Sequence, residues 1–232
     1  MKLQAVVFDF DGVLANSEPL HLQVYQVLLR DEGIPFSADE YYASYLGFDD
    51  IGVFEALARD KGLRVDGRMQ ALIDRKTEIF QALVTQGDVL FEAAEDRLRA
   101  VAAAVPIAIA SGALREEIDL ILAGRGLAGL VPVIVAAGDT PRGKPAPDPY
   151  RQAVNLLSAR VGRPLSPEFI VGIEDSRWGL ESARAAGLRT IGVTTSYEAA
   201  ALPGADLLLA DIGHVTLDVL EQLVTSPNTG AS

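Results

Sequence analysis

Residues suited to chemistry lie in the segments that follow the predicted strands of the chain. In chain order they are Asp9, Asp11, Ser111, Gly112, Lys144, Glu174 and Asp175. Several carboxylates at one edge of a sheet would repel one another without a cation, and oxygen ligands without cysteine or histidine suit Mg²⁺. The serine hydroxyl and the lysine ammonium group add donors for an anion. The set therefore predicts a phosphoryl-transfer site, where catalysis is mostly positioning and charge neutralisation.

Each of these residues also has a commonplace explanation when it is taken alone. An Asp-Gly pair after a strand is usually a turn, and Ser111 and Ser176 before helices are usually N-caps. Lys144 in a proline-rich loop is usually in solvent. Taken together, these residues indicate a binding site, because ligands of an open parallel sheet bind beyond the carboxyl ends of its strands. We predict that Asp9 is the nucleophile and forms an aspartyl-phosphate, that Asp11 protonates the leaving oxygen and later activates water, and that a helix N-terminus at Ser111 adds anion-binding N–H groups.

The elements that must position these residues follow from the hydrophobic periodicity. Alternating helix and strand patterns after residue 91 predict an α/β fold with a doubly wound, mostly parallel sheet and a Rossmann-like core. Strands are predicted over 3–8, 105–110, 131–136, 169–173, 190–193 and 206–209. Every segment between residues 18 and 86 has helical periodicity. We predict a catalytic core of residues 1–15 and 90–232, with an all-helical domain of residues 16–89 inserted after the first strand.

The composition excludes several classes of site and partner. The 232 residues hold 20 Lys and Arg against 32 Asp and Glu, a net charge of −12, which disfavours nucleic acid and anionic membranes as partners. The absence of cysteine excludes disulfides, iron–sulfur clusters and cysteine nucleophiles, and two histidines exclude a multi-histidine metal site. Without a signal peptide or an apolar run near the ~20 residues of a membrane span, we expect a cytoplasmic protein, monomeric or weakly homo-oligomeric.

The motifs together resemble those of a known family. Four segments match in order and spacing: Asp9-Phe10-Asp11-Gly12-Val13-Leu14, Ser111, Gly143-Lys144-Pro145 and Gly172-Ile173-Glu174-Asp175-Ser176. They resemble the four motifs of the haloacid dehalogenase superfamily of phosphohydrolases. Two further segments, Ser17-Glu18-Pro19-Leu20-His21 and Lys144-Pro145-Ala146-Pro147-Asp148, are similar to its beta-phosphoglucomutase-like branch, which carries a helical cap after motif one.

This resemblance implies a Mg²⁺ site and a phosphoryl-binding site. The implied Mg²⁺ ligands are Asp9, the backbone carbonyl of Asp11, Glu174 and Asp175. The implied contacts to the transferring phosphoryl group are Ser111, with Gly112 beside it, and Lys144. The residues 16–89 would then be the cap domain.

The resemblance also separates the reactions that such a site performs. Dehalogenase members lack the second aspartate, so Asp11 argues against dehalogenation. The mutase carries an arginine on a cap loop, whereas the matching stretch Tyr45–Asp50 is acidic, and after Ser111 only Arg115 could bind a second phosphate. We therefore predict hydrolysis of a small phosphorylated metabolite. A phosphomutase remains the first alternative. A non-catalytic regulator that binds a phospho-metabolite is the second, although such a relative would be expected to lack Asp9 or Asp11.

Two residues of the inserted domain are candidates for substrate contact. Apolar stripes are predicted at Ile51, Phe54, Leu57 and Ala58, and at Met69, Ile73, Phe80 and Leu83. Lys76 falls on the second stripe, where its ammonium group either reaches water past apolar neighbours or contacts substrate. His21 either packs within its helix or contacts substrate. Because both match the family's cap positions, we expect a cationic contact from Lys76 and, second, from His21, with Lys76 only partly buried.

Overall fold

The computed structural model describes residues 2–45, 48, 50–84 and 89–226, and the chain divides into two compact units. The first unit joins Met1–Asn16 to Leu90–Ser232, and the second is Ser17–Val89. The roles of catalytic core and cap stay predictions for these units.

The first unit is built on a parallel sheet that has six strands among the described residues. In chain order they are β1 Ala5–Phe8, β2 Ile107–Ala110, β3 Ile134–Val135, β4 Ile170–Glu174, β5 Arg189–Val193 and β6 Leu207–Leu209, and in space they lie in the order β3-β2-β1-β4-β5-β6. All residues of β1, β2, β4 and β5 are buried, as expected for a mostly apolar parallel sheet that is covered on both faces. The predicted α/β fold is confirmed.

Outside the inserted segment, the described α-helices alternate with the strands as far as β5, and a 3-10 turn, Ala199–Ala201, lies between β5 and β6. In chain order the α-helices are α1 Glu18–Asp31, α2 Ala38–Ser44, α3 Asp50–Lys61, α4 Met69–Val84, α5 Ala94–Ala104, α6 Arg115–Gly124, α7 Asp148–Val161, α8 Arg177–Ala185 and α9 Leu217–Thr225. Tyr150, Ala153 and Leu157 of α7 are buried against β1 and β2, and this packing forms much of the core beneath the sheet's carboxyl edge.

The strand register brings the residues that follow neighbouring strands to one edge. Phe8 of β1 pairs with Ile109 of β2 on one side and with Ile173 of β4 on the other. The residues that come next, beginning with Asp9 and Glu174, therefore stand level with one another. This edge is the carboxyl end of the sheet, where ligands of such folds bind.

The third strand is shorter than the predicted 131–136. Only Ile134–Val135 are assigned to β3, which lies at the edge of the sheet. Backbone hydrogen bonds nevertheless continue the ladder, because the N–H groups of Ile109 and Ser111 donate to Val133 O and Val135 O, each at 2.9 Å. The segment is thus extended as predicted, and its ends lie outside the regular ladder.

The second unit, described by itself, contains only helices among its described regular elements. The sequence prediction did not single out the short helix α2. Its signal was present as a capping box: Ser37 accepts from the N–H of Glu40 at 3.2 Å, and the Glu40 carboxylate accepts from the N–H of Ser37 at 3.0 Å.

The buried stripes of α3 and α4 differ from the predicted ones. Ile51 is 47% exposed, and Val53 is buried in its place. The buried residues of α4 are Leu72, Lys76, Ile79, Phe80 and Val84. This face follows the i, i+4, i+7, i+8 spacing of a helix, so Lys76 lies at its centre.

Among the described residues, no helix combines the length and hydrophobicity that crossing a bilayer requires.

Candidate active site

Three carboxylates converge at the carboxyl edge of the sheet. Asp9 follows β1, Glu174 ends β4, and Asp175 is the next residue. One oxygen from each lies within 4.8 Å of the others, and all three residues are buried. The backbone N–H of Asp9 donates to Ile173 O at 2.9 Å, which fixes Asp9 against β4. Burial of three carboxylates is costly unless positive charge compensates them.

Lys144 supplies part of that compensation. Its ammonium group lies 2.7 Å from Asp9 Oδ1 and 2.6 Å from Glu174 Oε1, and its side chain is only 14% exposed. The commonplace interpretation, in which Lys144 is in solvent, is therefore wrong. Burial alone would lower the pKa of Lys144, but the charges of Asp9 and Glu174 outweigh it and hold that pKa well above its usual range.

The two carboxyl groups at the end of β4, Glu174 and Asp175, both have raised pKa values. Burial, with the charge of Asp9, raises the pKa of Glu174 to about 7, although Lys144 and Tyr150 act in the opposite direction. Burial and the charges of Asp9 and Glu174 also raise the pKa of Asp175 well above its usual range. A buried set of oxygen donors with one ammonium group for three carboxylates is chemically suited to a hard divalent cation such as Mg²⁺. The residues therefore fit the implied metal.

Two glycines allow the carboxylates to approach the backbone. A Cβ on Gly12, whose φ is +75°, would overlap the Asp175 carboxylate, and a Cβ on Gly179 would overlap that of Glu174. Gly179 is also held by a cap, since Ser176 Oγ accepts from its N–H at 3.1 Å. The capping interpretation of Ser176 is thus correct, and the same hydroxyl lies 3.4 Å from Glu174 Oε2.

Ser111 is buried at the end of β2, but it does not begin a helix. Helix α6 begins at Arg115, with Leu114 as its N-cap, so the expected helix N-terminus at Ser111 is wrong. Ser111 Oγ instead accepts from the N–H of Ala113 at 3.1 Å and closes a tight turn that includes Gly112. The hydroxyl oxygen is thus used within the turn and does not cap α6.

Asp11 lies two residues beyond Asp9 and is half-buried. The backbone of Asp11 forms an isolated bridge with Ala15, and Gly12 N–H donates to Ala15 O at 2.8 Å. Its carboxylate does not belong to the group formed by Asp9, Glu174 and Asp175 among the described residues. The resemblance implies a ligand role for the Asp11 carbonyl alone, and this role and the proton transfer expected of its side chain both stay predictions.

Sequence reasoning missed two neighbours of this cluster. The fully buried Tyr150 donates to Glu174 Oε1 at 2.6 Å, and Lys144 Nζ lies 5.4 Å from its ring centroid. Nothing in the sequence distinguished Tyr150 from an ordinary core aromatic. Ser196 forms a hydrogen bond with Asp175, and its signal was available: it lies in the polar run that follows β5, as the other site residues follow their strands.

The second unit holds its own buried polar cluster around Lys76. Only 1% of the Lys76 side chain is exposed, and its ammonium group pairs with Asp50 Oδ2 at 3.1 Å. The hydroxyl of Tyr25 donates to Asp50 Oδ1 at 2.8 Å. The alternative in which Lys76 reaches water, and the expectation that it is only partly buried, are both wrong. Its contact with substrate stays a prediction.

His21 stacks on Phe80 in the same unit, with ring centroids 5.3 Å apart. Burial, together with the positive charge of Lys76, lowers the pKa of His21 to about 3, so its imidazole is neutral at pH 7. The expectation of a cationic contact from His21 is therefore not met. A substrate contact from neutral imidazole stays a prediction.

We expect Lys76→Met to lower the free energy of unfolding by about 3 kcal/mol, because it leaves Asp50 without the counter-charge that the structure provides. Urea denaturation at pH 7 measures this. The matched double variant Lys76→Met with Asp50→Asn removes both charges and keeps an acceptor for Tyr25, so it should recover at least half of the loss. A single variant as stable as wild type would contradict the energetic importance of the pair.

A parallel sheet with an acidic cluster and a lysine at its carboxyl edge is the arrangement expected of a phosphoryl-transfer hydrolase. The comparisons with known proteins place the chain in a family of hydrolases. The model of the haloacid dehalogenase-like hydrolases matches residues 3–187, and the chain belongs to this family. The predicted superfamily and the prediction of a hydrolase are confirmed.

Particular relatives and solved structures are similar over nearly the whole chain. Protein CbbY from Rhodobacter capsulatus is 33% identical over 207 residues, covering 85% of this chain and 88% of that protein. Validoxylamine A 7'-phosphate phosphatase from Streptomyces hygroscopicus subsp. limoneus is 27% identical over 219 residues, covering 91% and 95%. The crystal structure of a CbbY mutant from Rhodobacter sphaeroides in complex with xylulose-(1,5)bisphosphate has a TM-score of 0.77 at 27% identity, covering 92% and 96%.

Proposed function

We propose that this protein is a Mg²⁺-dependent phosphatase that hydrolyses a small phosphorylated metabolite, such as a sugar phosphate, through an aspartyl-phosphate. The observation that carries the proposal is the buried group of Asp9, Glu174 and Asp175 with Lys144 bridging two of its members. The names of the relatives, a phosphate-ester phosphatase and a protein crystallised with a sugar bisphosphate, support the substrate class.

In the proposed reaction the Asp9 carboxylate attacks phosphorus, and the bond from phosphorus to the ester oxygen breaks. Asp11 gives its proton to the departing oxygen, and later takes a proton from the water that cleaves the aspartyl-phosphate, so the enzyme returns to its starting state. Lys144 and Ser111 donate to the phosphoryl oxygens. Mg²⁺, held by Asp9, Glu174, Asp175 and the Asp11 carbonyl, would neutralise charge between the carboxylate and the phosphate.

The hydrogen bonds of Arg115, which comes four residues after Ser111, favour hydrolysis over mutase chemistry. Arg115 Nη2 donates to Ile134 O at 2.6 Å and to Asp139 Oδ2 at 2.7 Å, so it is already engaged. In the second unit, Asp50 compensates the charge of Lys76. A bisphosphate intermediate needs a second cationic clamp, and these pairings reduce the charge that would provide one. The non-catalytic regulator is disfavoured because Asp9 and Asp11 are both present.

We further propose that the protein acts in the cytoplasm, as a monomer or weak homo-oligomer, without a nucleic-acid or membrane partner. The net charge of −12 supports the last point, because acidic surfaces repel phosphate backbones and anionic lipids.

Removal of Mg²⁺ should abolish phosphate release, with a loss on the order of a thousandfold, because the carboxylates then repel the phosphate. The test is inorganic phosphate release from a panel of phosphorylated metabolites, including beta-glucose 1-phosphate, with Mg²⁺, with chelator, and after Mg²⁺ is restored. Ca²⁺ should inhibit, because its looser coordination ties up the attacking carboxylate.

Three results would contradict the proposal. Full activity in the presence of chelator would show that the reaction does not require the metal. Conversion of beta-glucose 1-phosphate to glucose 6-phosphate faster than phosphate release would assign the mutase reaction. Tight binding of phosphorylated metabolites without turnover would assign the regulator.

A further inference from the structure

A closed ring of contacts braces the turn that carries Ser111. Ser111 Oγ accepts from Ala113 N–H at 3.1 Å, and Ala113 O accepts from Ala137 N–H at 2.9 Å. Two residues beyond Ala137, the Asp139 carboxylate pairs with Arg115 at 2.7 Å. Arg115 is the first residue of α6 and comes directly after the Ser111 turn, so its pairing with Asp139 closes the ring.

The same two side chains also bind the backbone of the edge strand and the loop after it. Arg115 Nη2 donates to Ile134 O at 2.6 Å, and Asp139 Oδ2 accepts from Ala136 N–H at 2.9 Å. The N–H of Ala136 and the guanidinium of Arg115 hold the pKa of Asp139 below its usual range, so it is a carboxylate at neutral pH. Each group of this pair thus holds the other and one backbone atom.

Leu114, the N-cap of helix α6, offers no side-chain acceptor for the first-turn N–H groups. The Ala137 contact and the Arg115–Asp139 pair hold the turn from Ser111 to Leu114 at its two ends. A turn held at both ends loses less conformational freedom when a ligand binds it.

We propose that Arg115 and Asp139 are positioning residues that hold Ser111 in the geometry for binding the transferring phosphoryl group. This inference rests on the proposed function, in which Ser111 donates to that group. With Oγ accepting from Ala113 N–H, the Ser111 proton remains the group that a phosphoryl oxygen can receive. Loss of the pair would let the turn shift, and misplacement by about 1 Å can cost two powers of ten in rate.

The test is a double-mutant cycle between Arg115→Ala and Ser111→Ala, read as kcat/KM for phosphate release and as melting temperature. Arg115→Ala should lower kcat/KM by about ten- to a hundredfold. In the Ser111→Ala background the same substitution should change kcat/KM less than twofold, because there is no hydroxyl left to position. Asp139→Asn, which keeps an acceptor for Ala136 N–H, is a milder second variant and should show the same non-additivity.

Arg99→Ala is the matched control. It breaks an exposed ion pair of similar length, 3.0 Å to Glu95, within α5, outside the ring and outside the loop that carries Lys144. We expect it to leave kcat/KM within twofold of wild type. If Arg115 had a purely structural role, Arg115→Ala would lower the melting temperature of the protein. It would then reduce kcat/KM by the same factor with and without Ser111.

The inference is overturned if Arg115→Ala has wild-type kinetics, or if its effect multiplies fully with that of Ser111→Ala. Both outcomes leave the proposed function intact as long as wild type releases phosphate and Asp9→Asn does not. A wild-type protein that releases no phosphate from any substrate overturns the proposed function itself. The inference is then judged by calorimetry with inorganic phosphate: it stands only if Arg115→Ala weakens binding in the presence of Ser111 and not in its absence.

Discussion

Asp9→Asn should lower kcat for phosphate release by at least about four powers of ten, equivalent to ~5.5 kcal/mol of transition-state stabilisation, while the protein keeps its fold. The amide is nearly isosteric with the carboxylate, and its oxygen can still accept from Lys144, which lies 2.7 Å from Asp9 Oδ1. It cannot attack phosphorus as an anion. The substitution also removes one of three buried carboxylates that disfavour one another's charge, so metal-free stability should not fall.

The measurement combines single-turnover phosphate release with binding of beryllium trifluoride, a phospho-aspartate mimic. Wild type should bind the mimic in the presence of Mg²⁺, and Asp9→Asn should not. Mass spectrometry controls for deamidation of the new asparagine. Residual turnover within a hundredfold of wild type, in protein shown to be free of aspartate, would remove Asp9 from the nucleophile role.

Lys144→Met should lower kcat/KM by about three powers of ten, or ~4 kcal/mol, because it removes the donor that lies between Asp9 and Glu174. Methionine has a similar length and fills the buried space, so the loss is one of charge. Lys61→Met is the matched control, since it breaks an ion pair of equal length with Glu40 at a more exposed position. Its kinetics should equal those of wild type. Equal kinetics for Lys144→Met would contradict the role of Lys144 at the phosphoryl group.

The same substitution should change how stability depends on pH in metal-free protein. Glu174 has a pKa of about 7 when folded, above its unfolded value, so the folded state binds the proton more tightly. The free energy of unfolding therefore falls as pH rises from about 4.5 to 7, by an amount on the order of 3 kcal/mol from this group. In Lys144→Met the fall should continue above pH 7, because the ammonium group that lowers the Glu174 pKa is gone.

Urea denaturation in chelator from pH 5 to 8.5 measures this difference, with Glu174→Gln as the variant that lacks the titrating group. Wild type and Lys144→Met curves that stay parallel above pH 7 would show that Lys144 does not compensate the Glu174 charge.

The sequence by itself determined the strands, most of the helices and the residues at the sheet's carboxyl edge. Strands of four or more apolar residues have a local signal, and the residue after each strand is known once its end is known. The sequence therefore predicts Asp9, Glu174 and Asp175 at one site, and the structure brings one oxygen of each within 4.8 Å of the others. Local periodicity placed Lys76 on the buried side of its helix, but put the rest of that stripe about one residue out of phase.

Only the tertiary structure decided which side chains pair. Tyr150 with Glu174 and Arg115 with Asp139 are each 24 positions apart in the chain, and Lys76 with Asp50 joins two different helices. Such pairs leave no periodic trace, because each partner alone looks like an ordinary core tyrosine, helix-start arginine or surface aspartate. Burial then sets their chemistry: it keeps His21 neutral, raises the pKa of Glu174 and confines Lys144 between two carboxylates. A pKa depends on all charges and solvent around a group, and these exist only after the chain has folded.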